Sequence, residues 1–350
     1  MLEAVSDAVI VALIGFAGGG LLGLAARLGR FCTLGAIEDF MYQNSDVRLR
    51  MWILAIGTAG FATFALVLAG AFDPTLTGYY IAPFSPLAHV IGGLLFGYGM
   101  ALAGNCGFGA LARVGGGDLR SFVIVLVMGV SAYAMLSGPF ATTRVAFMEA
   151  TSLAAQTRGY PELLTRLSGL PVAFWGMLIS GMIAVFALCS RAFLARRGAL
   201  FWSVVVGLAI TSGWAGTTWV ANTGFSAQPI VSHTFTAPTG ETMLFLMTSS
   251  AGGLSFGVGS VCGVLAGAFC GSLIKGHFRW EACEDPRELR RQFLGAVLMG
   301  FGAVIAMGCT IGQGISAFSV LAYGAPLTFA AIFAGAAFGL RQLIEGFASA

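Results

Sequence analysis

Long apolar runs, separated by short segments that hold nearly all of the charges, are the feature that most restricts how this sequence can fold. Of its 350 residues, 57% are hydrophobic and only 9% are charged, whereas about 25% charged residues is usual for a soluble domain. A run of about 20 apolar residues is long enough to cross a bilayer as a helix. The pattern therefore predicts an all-α polytopic membrane protein, and it excludes an ordinary soluble enzyme, a disordered chain and a nucleic-acid-binding protein.

Nine apolar runs are long enough to span a membrane, and the basic residues predict their orientation. If the N-terminus is placed outside, 15 of the 18 Lys and Arg residues fall on the inner side, as the positive-inside rule requires. We therefore predict about nine transmembrane helices, with the N-terminus outside and the C-terminus inside. The predicted spans are residues 8–28, 50–72, 87–104, 119–138, 171–194, 199–217, 254–274, 289–307 and 325–345.

Several apolar segments are too short to cross the bilayer. At about 8–12 residues, each would be roughly 12–18 Å long as a helix. Such segments are typical of re-entrant half-helices that are buried by protein or line a cavity. The predicted half-helices are Thr33–Met41, Gly107–Val114 and Thr310–Val320, with a weaker fourth at Glu241–Gly252.

The order of spans and half-helices predicts an inverted repeat within a single membrane domain, 1–350. Residues 1–138 read as span, half-helix, span, span, half-helix, span, and residues 199–350 read the same way. Residues 139–198 between them hold one extra span and an outer segment, predicted to be an amphipathic surface helix or, alternatively, a substrate-gathering vestibule. This 4+1+4 arrangement gives the two halves opposite topology, as in many transporters whose sites lie where broken helices meet.

Three of the seven cysteines share one motif at one architectural position, between a span and a half-helix. The motifs are Cys32-Thr-Leu-Gly35, Cys106-Gly-Phe-Gly109 and Cys309-Thr-Ile-Gly312. A glycine precedes each cysteine by one to three residues, Gly104 and Gly308 among them. The fourth equivalent position, predicted near Asn222–Phe225, has no cysteine. The other cysteines lack the motif and are interpreted as packing residues within spans or, for Cys283, as an incidental loop residue.

A cysteine at the start of a half-helix favours binding of an anion. The free N–H groups and the positive dipole end of the helix lie there, and neutral thiols add weak S–H donors and a polarizable surface. Repeated thiols suit an anion with an exposed sulfur atom better than sulfate or phosphate, which present only oxygen atoms. The candidate permeation residues are thus Cys32, Cys106 and Cys309, supported by Gly35, Gly104, Asn105, Gly109, Gly308, Thr310, Gly312 and Gln313.

The motif stretches resemble the YeeE/YedE family of bacterial inner-membrane sulfur transporters. The resemblance lies in GRFCTLGAIEDF (29–40), GNCGFGALARVGGGDLRSF (104–122) and MGCTIGQGISAFSVLAYGAP (307–326). It implies an hourglass-shaped fold and import of thiosulfate from the periplasm to the cytoplasm, with the ion passing from Cys309 to Cys106 to Cys32 by hydrogen bonds. With the orientation predicted from the basic residues, the N-terminus would be periplasmic and the C-terminus cytoplasmic. The resemblance also implies a small TusA-like sulfur carrier as a partner.

The sequence is also compatible with two alternatives to a thiosulfate importer. Several membrane cysteines would suit a thiol–disulfide oxidoreductase, although no C-x-x-C occurs and the spacing is unpaired. Half-helices also occur in pores for other solutes, and some relatives in the resembled family are linked to selenium compounds. For the leading hypothesis we expect no catalytic residue, no metal and no cofactor.

Overall fold

The computed structural model describes residues 6–154, 157–250, 253–281 and 286–346. These residues form helices joined by short loops, and this part of the chain contains no β-strand. Cys283 and residues 251–252, to which predictions were attached, lie outside the described residues. The α-helices are α1 (Asp7–Leu28), α2 (Thr33–Tyr42), α3 (Val47–Leu68), α4 (Gly78–Ile81), α5 (Pro86–Ala103), α6 (Gly107–Val114), α7 (Leu119–Leu136), α8 (Ala141–Ala150), α9 (Tyr160–Ser168), α10 (Val172–Leu188), α11 (Arg191–Leu194), α12 (Arg197–Thr223), α13 (Thr236–Thr248), α14 (Phe256–Ile274), α15 (Pro286–Ile305) and α16 (Gly324–Glu345).

The all-α polytopic membrane fold is confirmed, and a helix forms at each of the nine predicted spans. Seven candidate spans among the described residues are long and apolar enough to cross a membrane, and they contain α1, α3, α5, α7, α12, α14 and α16. Of the other two, α10 is apolar but has 17 residues, which is about 26 Å of helix. Helix α15 begins with a charged turn, PRELRR. The count of nine therefore stays a prediction.

Short helices also form near the four positions predicted for half-helices. Helices α2 and α6 begin at the predicted residues. Residues 310–319 are helical, with a π-helical stretch at Gly312–Ala317. The fourth, α13, begins at Thr236, five residues before the predicted start. Helix α12 continues to Thr223, so the position predicted near Asn222–Phe225 does not directly precede a half-helix; the residue that precedes α13 is Phe235.

Local sequence signals define several of the helix ends that frame the site. Ser85 caps α5 by accepting a hydrogen bond from the Ala88 N–H, and Pro86 occupies the first helical position. Asp118 caps α7 by accepting from the N–H groups of Arg120 and Ser121. These caps satisfy backbone donors that would otherwise be orphaned, so the loops before α5 and α7 are held in fixed geometry.

Glycines allow α1 and α14 to pack with their backbones in contact. A Cβ at Gly19 would overlap the Ser260 carbonyl, and a Cβ at Gly263 would overlap the Phe16 carbonyl. Small residues permit this close approach in membrane bundles, where van der Waals contact replaces the hydrophobic driving force. The high glycine content, 51 of 350 residues, thus has a direct structural use.

The packing of helices between the two halves is symmetric: each contact has a counterpart in which both helices are replaced by the corresponding helices of the other half. Helix α1 packs on α14 and α12 packs on α3, while α5 packs on α16 and α15 packs on α7. Helix α6 packs on α14, and the π-helical stretch packs on α3. An inverted repeat of 1–138 and 199–350 would produce this pairing, and it remains our proposal for the domain organisation.

The segment between the halves, predicted to lie on the outer side, contains two helices, α8 and α9, rather than one. Only Met148 is buried on α8 and only Pro161 on α9. The Arg144 guanidinium donates to the carbonyls of Met135 and Leu136 at the end of α7. A cation there offsets the negative end of the helix dipole, and it ties α8 to the end of α7.

Candidate functional site

Each motif cysteine follows the same kind of turn. The residue two positions before the cysteine has a left-handed backbone: Arg30 with φ 53°, Gly104 with φ 76° and Met307 with φ 61°. This conformation costs an L-residue roughly 1–2 kcal/mol, whereas glycine adopts it freely. The turn ends one helix and redirects the chain, so that the cysteine precedes the first residue of the next helix. At Gly104 the turn therefore forms without backbone strain.

Cys106 lies where helix N-termini from different parts of the chain meet. It is fully buried, and its Sγ accepts a hydrogen bond from the Gly109 N–H at 3.3 Å. The Thr33 hydroxyl, at the first residue of α2, donates to the same sulfur at 4.0 Å. The hydroxyl of Thr310, which begins the third half-helix, is also next to this thiol. Three helix N-termini therefore surround one sulfur atom.

Cys309 is also fully buried, and its thiol contacts the segment that leads into the fourth half-helix, α13. Its Sγ lies 3.7 Å from the Thr234 hydroxyl, two residues before α13 begins. The Tyr79 hydroxyl donates to the Gly312 carbonyl at 2.9 Å, and a Cβ at Gly312 would collide with Thr234. Gly312 thus leaves room for the helix start to approach the threonine.

Gln313 fixes the turn that carries Cys309. Its Nε2 donates to the carbonyls of Ala306 at 2.8 Å and Met307 at 3.2 Å. Gly308 lies against this side chain, since a Cβ there would be 3.0 Å from the Gln313 Cγ. Gln313 was predicted to present a donor to an anion. In the structure its amide nitrogen instead donates to the two carbonyls in the turn before Cys309.

Cys32 is half-buried and lines a cavity of about 350 Å³, which we call the Cys32 cavity. Gly35, Gly109 and Asn105 also line it. Asn105 is buried, and its Nδ2 donates to the Ser121 hydroxyl at 3.5 Å. The charged side chains that line the Cys32 cavity are Arg27, Arg30, Glu38, Arg48, Arg113 and Lys275. The cavity is therefore strongly electropositive.

A second cavity, of about 230 Å³, adjoins the Cys309 end of the site, and we call it the Arg144 cavity. It is lined by Arg144, Thr234, Gly308 and apolar residues. Leu136, at the C-terminal end of α7, lines it, whereas Ser121, near the N-terminal end of α7, bonds to Asn105 of the Cys32 cavity. The two cavities therefore lie towards opposite ends of α7, with Cys32 lining the first and Gly308, next to Cys309, lining the second.

Three buried polar atoms at the centre have no hydrogen-bond partner among the residues that the structure describes: Asn105 Oδ1, Thr310 Oγ1 and Gln313 Oε1. Buried polar groups are normally paired, so these atoms mark places where water or a bound molecule can complete the bonding. The Thr310 hydroxyl can donate to an anion. The oxygens of Asn105 and Gln313 cannot, and we expect them to bind water.

Of the three threonines next to the motif sulfurs, sequence reasoning named Thr310 and missed Thr33 and Thr234. Thr33 follows Cys32 directly, so its position beside a motif offered a signal. Thr234 is 75 residues from Cys309 in the chain, and no local pattern marks it. At the fourth position the side chain is Phe235, which is fully buried and packs 5.2 Å from Phe108 between ring centroids. The fourth helix start thus contributes hydroxyls and an aromatic wall in place of a thiol.

The cysteines within the described ranges are free thiols. No group of three or more His, Cys, Asp or Glu side chains that could hold a metal occurs among the described residues. Apolar spans, broken helices and buried thiols beside two cavities are features of a polytopic membrane transporter.

The chain belongs to the sulphur transport family, whose model matches residues 28–338. This confirms the family that the three motif stretches resemble. Relatives named thiosulfate transporter TsuA occur in Escherichia coli K12, 29% identical over 87% of this chain and 86% of the relative, and in Spirochaeta thermophila, 26% identical over 86% and 88%. The protein is therefore a multi-pass membrane protein of the sulphur transport family, and a transporter rather than an enzyme.

Proposed function

We propose that the protein imports thiosulfate across the bacterial inner membrane, from the periplasm to the cytoplasm, through a relay of three neutral thiols. The N-terminus is periplasmic and the C-terminus cytoplasmic in this proposal. The observation that carries it is the convergence of three half-helix N-termini on the buried sulfur of Cys106, between two cavities. The names of the two relatives support thiosulfate as the substrate.

The contacts trace a route through the centre. The anion enters the Arg144 cavity, where the Thr234 hydroxyl leads to Cys309. Thr310 follows Cys309 and adjoins Cys106, and Thr33 joins Cys106 to the start of α2. Cys32 precedes Thr33 and opens on the Cys32 cavity, where the anion is released. Each thiol thus has a hydroxyl neighbour that can accompany the transfer.

The chemistry of this route suits an anion with a terminal sulfur atom. The sulfur end can accept a weak hydrogen bond from a thiol, while the oxygen atoms accept from hydroxyl and backbone N–H groups. Helix dipoles supply about half a positive charge at each N-terminus, which offsets the cost of removing a dianion from water. Weak bonds at several successive sites allow the ion to leave each site as readily as it enters.

The relay requires that the thiols stay neutral. Two like charges at about 4 Å repel by roughly 4 kcal/mol at an effective dielectric constant of 20, so a thiolate would expel the dianion. No bond to sulfur forms or breaks during passage, and the cysteines end each cycle as free thiols.

We also propose that a TusA-like sulfur carrier takes up the released anion on the cytoplasmic side. The resemblance to the YeeE/YedE family supports this partner. The Cys32 cavity, where we place release, would then be the region that the carrier approaches.

Growth on thiosulfate as the sole sulfur source tests the proposal. The host is a bacterium without its own sulfate and thiosulfate uptake, carrying either the wild type or Cys106→Ala at matched membrane levels. We expect growth with the wild type only. Growth with Cys106→Ala would contradict the relay, and no growth with well-inserted wild type, with or without a co-expressed TusA-like carrier, would contradict thiosulfate import.

A further inference from the structure

The Cys32 cavity carries more positive charge than a passage for one anion needs. Its lining includes five Arg and Lys side chains but a single carboxylate, that of Glu38. Three of the cations are held by the protein: Arg27 donates to Ser272, Arg48 pairs with Asp39, and Lys275 donates to the carbonyls of Arg27 and Leu28. No hydrogen bond or ion pair engages the guanidinium of Arg30 or of Arg113 within the described part of the chain.

Arg30 adopts a strained backbone conformation at the edge of the Cys32 cavity. Its φ of 53° is left-handed; of the equivalent residues, Gly104 adopts this conformation without strain, whereas Met307, with φ 61°, bears a similar cost. Topology alone explains an arginine on this side of the membrane, but any neighbouring loop position would serve that purpose without strain. A non-glycine residue held in this conformation is characteristic of functional sites. We therefore assign the function of this position to the guanidinium side chain of Arg30 rather than to its backbone.

The cations of the cavity act on one another. Burial lowers the pKa of Lys275, and the charges of Arg30 and Arg27 lower it further. Like charges held together in this way are destabilising unless a counter-ion joins them. A small dianion would relieve the repulsion, and a cavity of about 350 Å³ can hold one with several waters, since a water occupies about 30 Å³.

We propose that the Cys32 cavity is a binding site for small divalent oxyanions such as sulfate and phosphate, held by Arg30 and Arg113. The site lies at the release end of the proposed route. An oxyanion bound there therefore opposes the release of thiosulfate, so cytoplasmic sulfate or phosphate limits uptake. This consequence for transport rests on the proposed function, whereas the binding itself does not.

Protection of Cys32 from alkylation tests the binding without transport. Purified wild-type protein in detergent is treated with N-ethylmaleimide in increasing sulfate, with chloride at equal ionic strength as the control, and the modified Cys32 peptide is quantified by mass spectrometry. We expect sulfate to slow the reaction at Cys32 at millimolar concentrations. Equal rates in sulfate and chloride would overturn the proposal.

Three single variants and one double variant separate a ligand role from a structural one. Arg30→Gly removes the charge and relieves the left-handed backbone, so we expect at least wild-type thermal stability. Arg30→Gly and Arg113→Gln should each weaken sulfate protection about fivefold or more, whereas Arg191→Gln, a cation outside the cavity, should not. Unchanged protection in the Arg30→Gly/Arg113→Gln double variant would overturn the assignment.

Uptake into proteoliposomes tests the consequence. Wild-type vesicles loaded with sulfate should take up external thiosulfate more slowly than vesicles loaded with chloride, and the double variant should lose this difference. Sulfate protection of Cys32 in a protein that takes up no thiosulfate would contradict the proposed function but leave the binding site intact. Thiosulfate uptake without sulfate protection would contradict only the site.

Discussion

The Thr33 hydroxyl donates to the Cys106 sulfur at 4.0 Å, across 73 residues of sequence. This contact joins the starts of α2 and α6, and both residues are buried. Because Thr33 directly follows Cys32, the bond also sets the spacing between two motif cysteines. The hydroxyl is therefore in a position to accompany an anion between them.

Thr33→Val tests this contact, because valine keeps the shape of threonine but loses the hydroxyl. A net hydrogen bond is worth about 0.5–1.5 kcal/mol, so we expect thiosulfate uptake to fall about three- to tenfold while the protein inserts normally. Thr33→Ser, which keeps the hydroxyl, should retain more than half of the rate. Equal uptake by the valine and serine variants would show that the hydroxyl has no part in transfer.

Cys106→Ser should abolish uptake although serine is close in size. The serine hydroxyl lacks the soft, polarizable surface of the thiol, and its preferred bonds are shorter than the sulfur contacts at this position. Cys262→Ser is the matched control, because Cys262 is exposed on α14 and lacks the motif. Uptake is measured at equal membrane levels, and near-normal transport by Cys106→Ser would contradict the role of the thiol.

Gly19→Ala and Gly20→Ala should differ sharply in stability. A Cβ at Gly19 would overlap the Ser260 carbonyl of α14, whereas at Gly20 the nearest atom would be 3.9 Å away. Both changes improve helix propensity equally, so their difference isolates packing. We expect Gly19→Ala to destabilise the protein by about 1–3 kcal/mol in thermal unfolding. Similar melting temperatures for the two variants would mean that α1 and α14 pack less closely.

Gln313→Glu should reduce both stability and uptake. A carboxylate cannot donate to the carbonyls of Ala306 and Met307, and leaving buried partners unsatisfied costs about 1–3 kcal/mol. The added charge near Cys309 would also repel a dianion. Gln342→Glu is the control, since the Gln342 Oε1 accepts from the Tyr98 hydroxyl and a carboxylate oxygen can do the same. If the two variants lower uptake to the same extent, Gln313 has no special role.

Hydropathy alone locates most of the helices because apolar length is directly visible in the sequence. The span predicted at 199–217 is shorter than the helix that forms there, however, because α12 continues through the polar residues Asn222 and Thr223. The start of α13 was also misplaced. Its first residues, TAPTGE, are too polar to stand out as an apolar segment, and tertiary packing rather than composition makes them helical.

The three motif cysteines could be predicted as site residues because glycines and helix breaks surround them. Their surroundings could not be predicted in full. The left-handed backbone of Arg30 and Met307 carries no sequence signal, since glycine is the residue expected there. The contact of Thr234 with Cys309 depends on how distant segments pack.

The most direct test of the account is the initial rate of radiolabelled thiosulfate uptake into proteoliposomes containing purified protein, for the wild type and for the triple variant Cys32→Ala/Cys106→Ala/Cys309→Ala. Matched melting temperatures and insertion levels would exclude misfolding as the cause of any loss. The account predicts saturable uptake by the wild type and none above empty vesicles by the triple variant. Wild-type rates from the triple variant would contradict it.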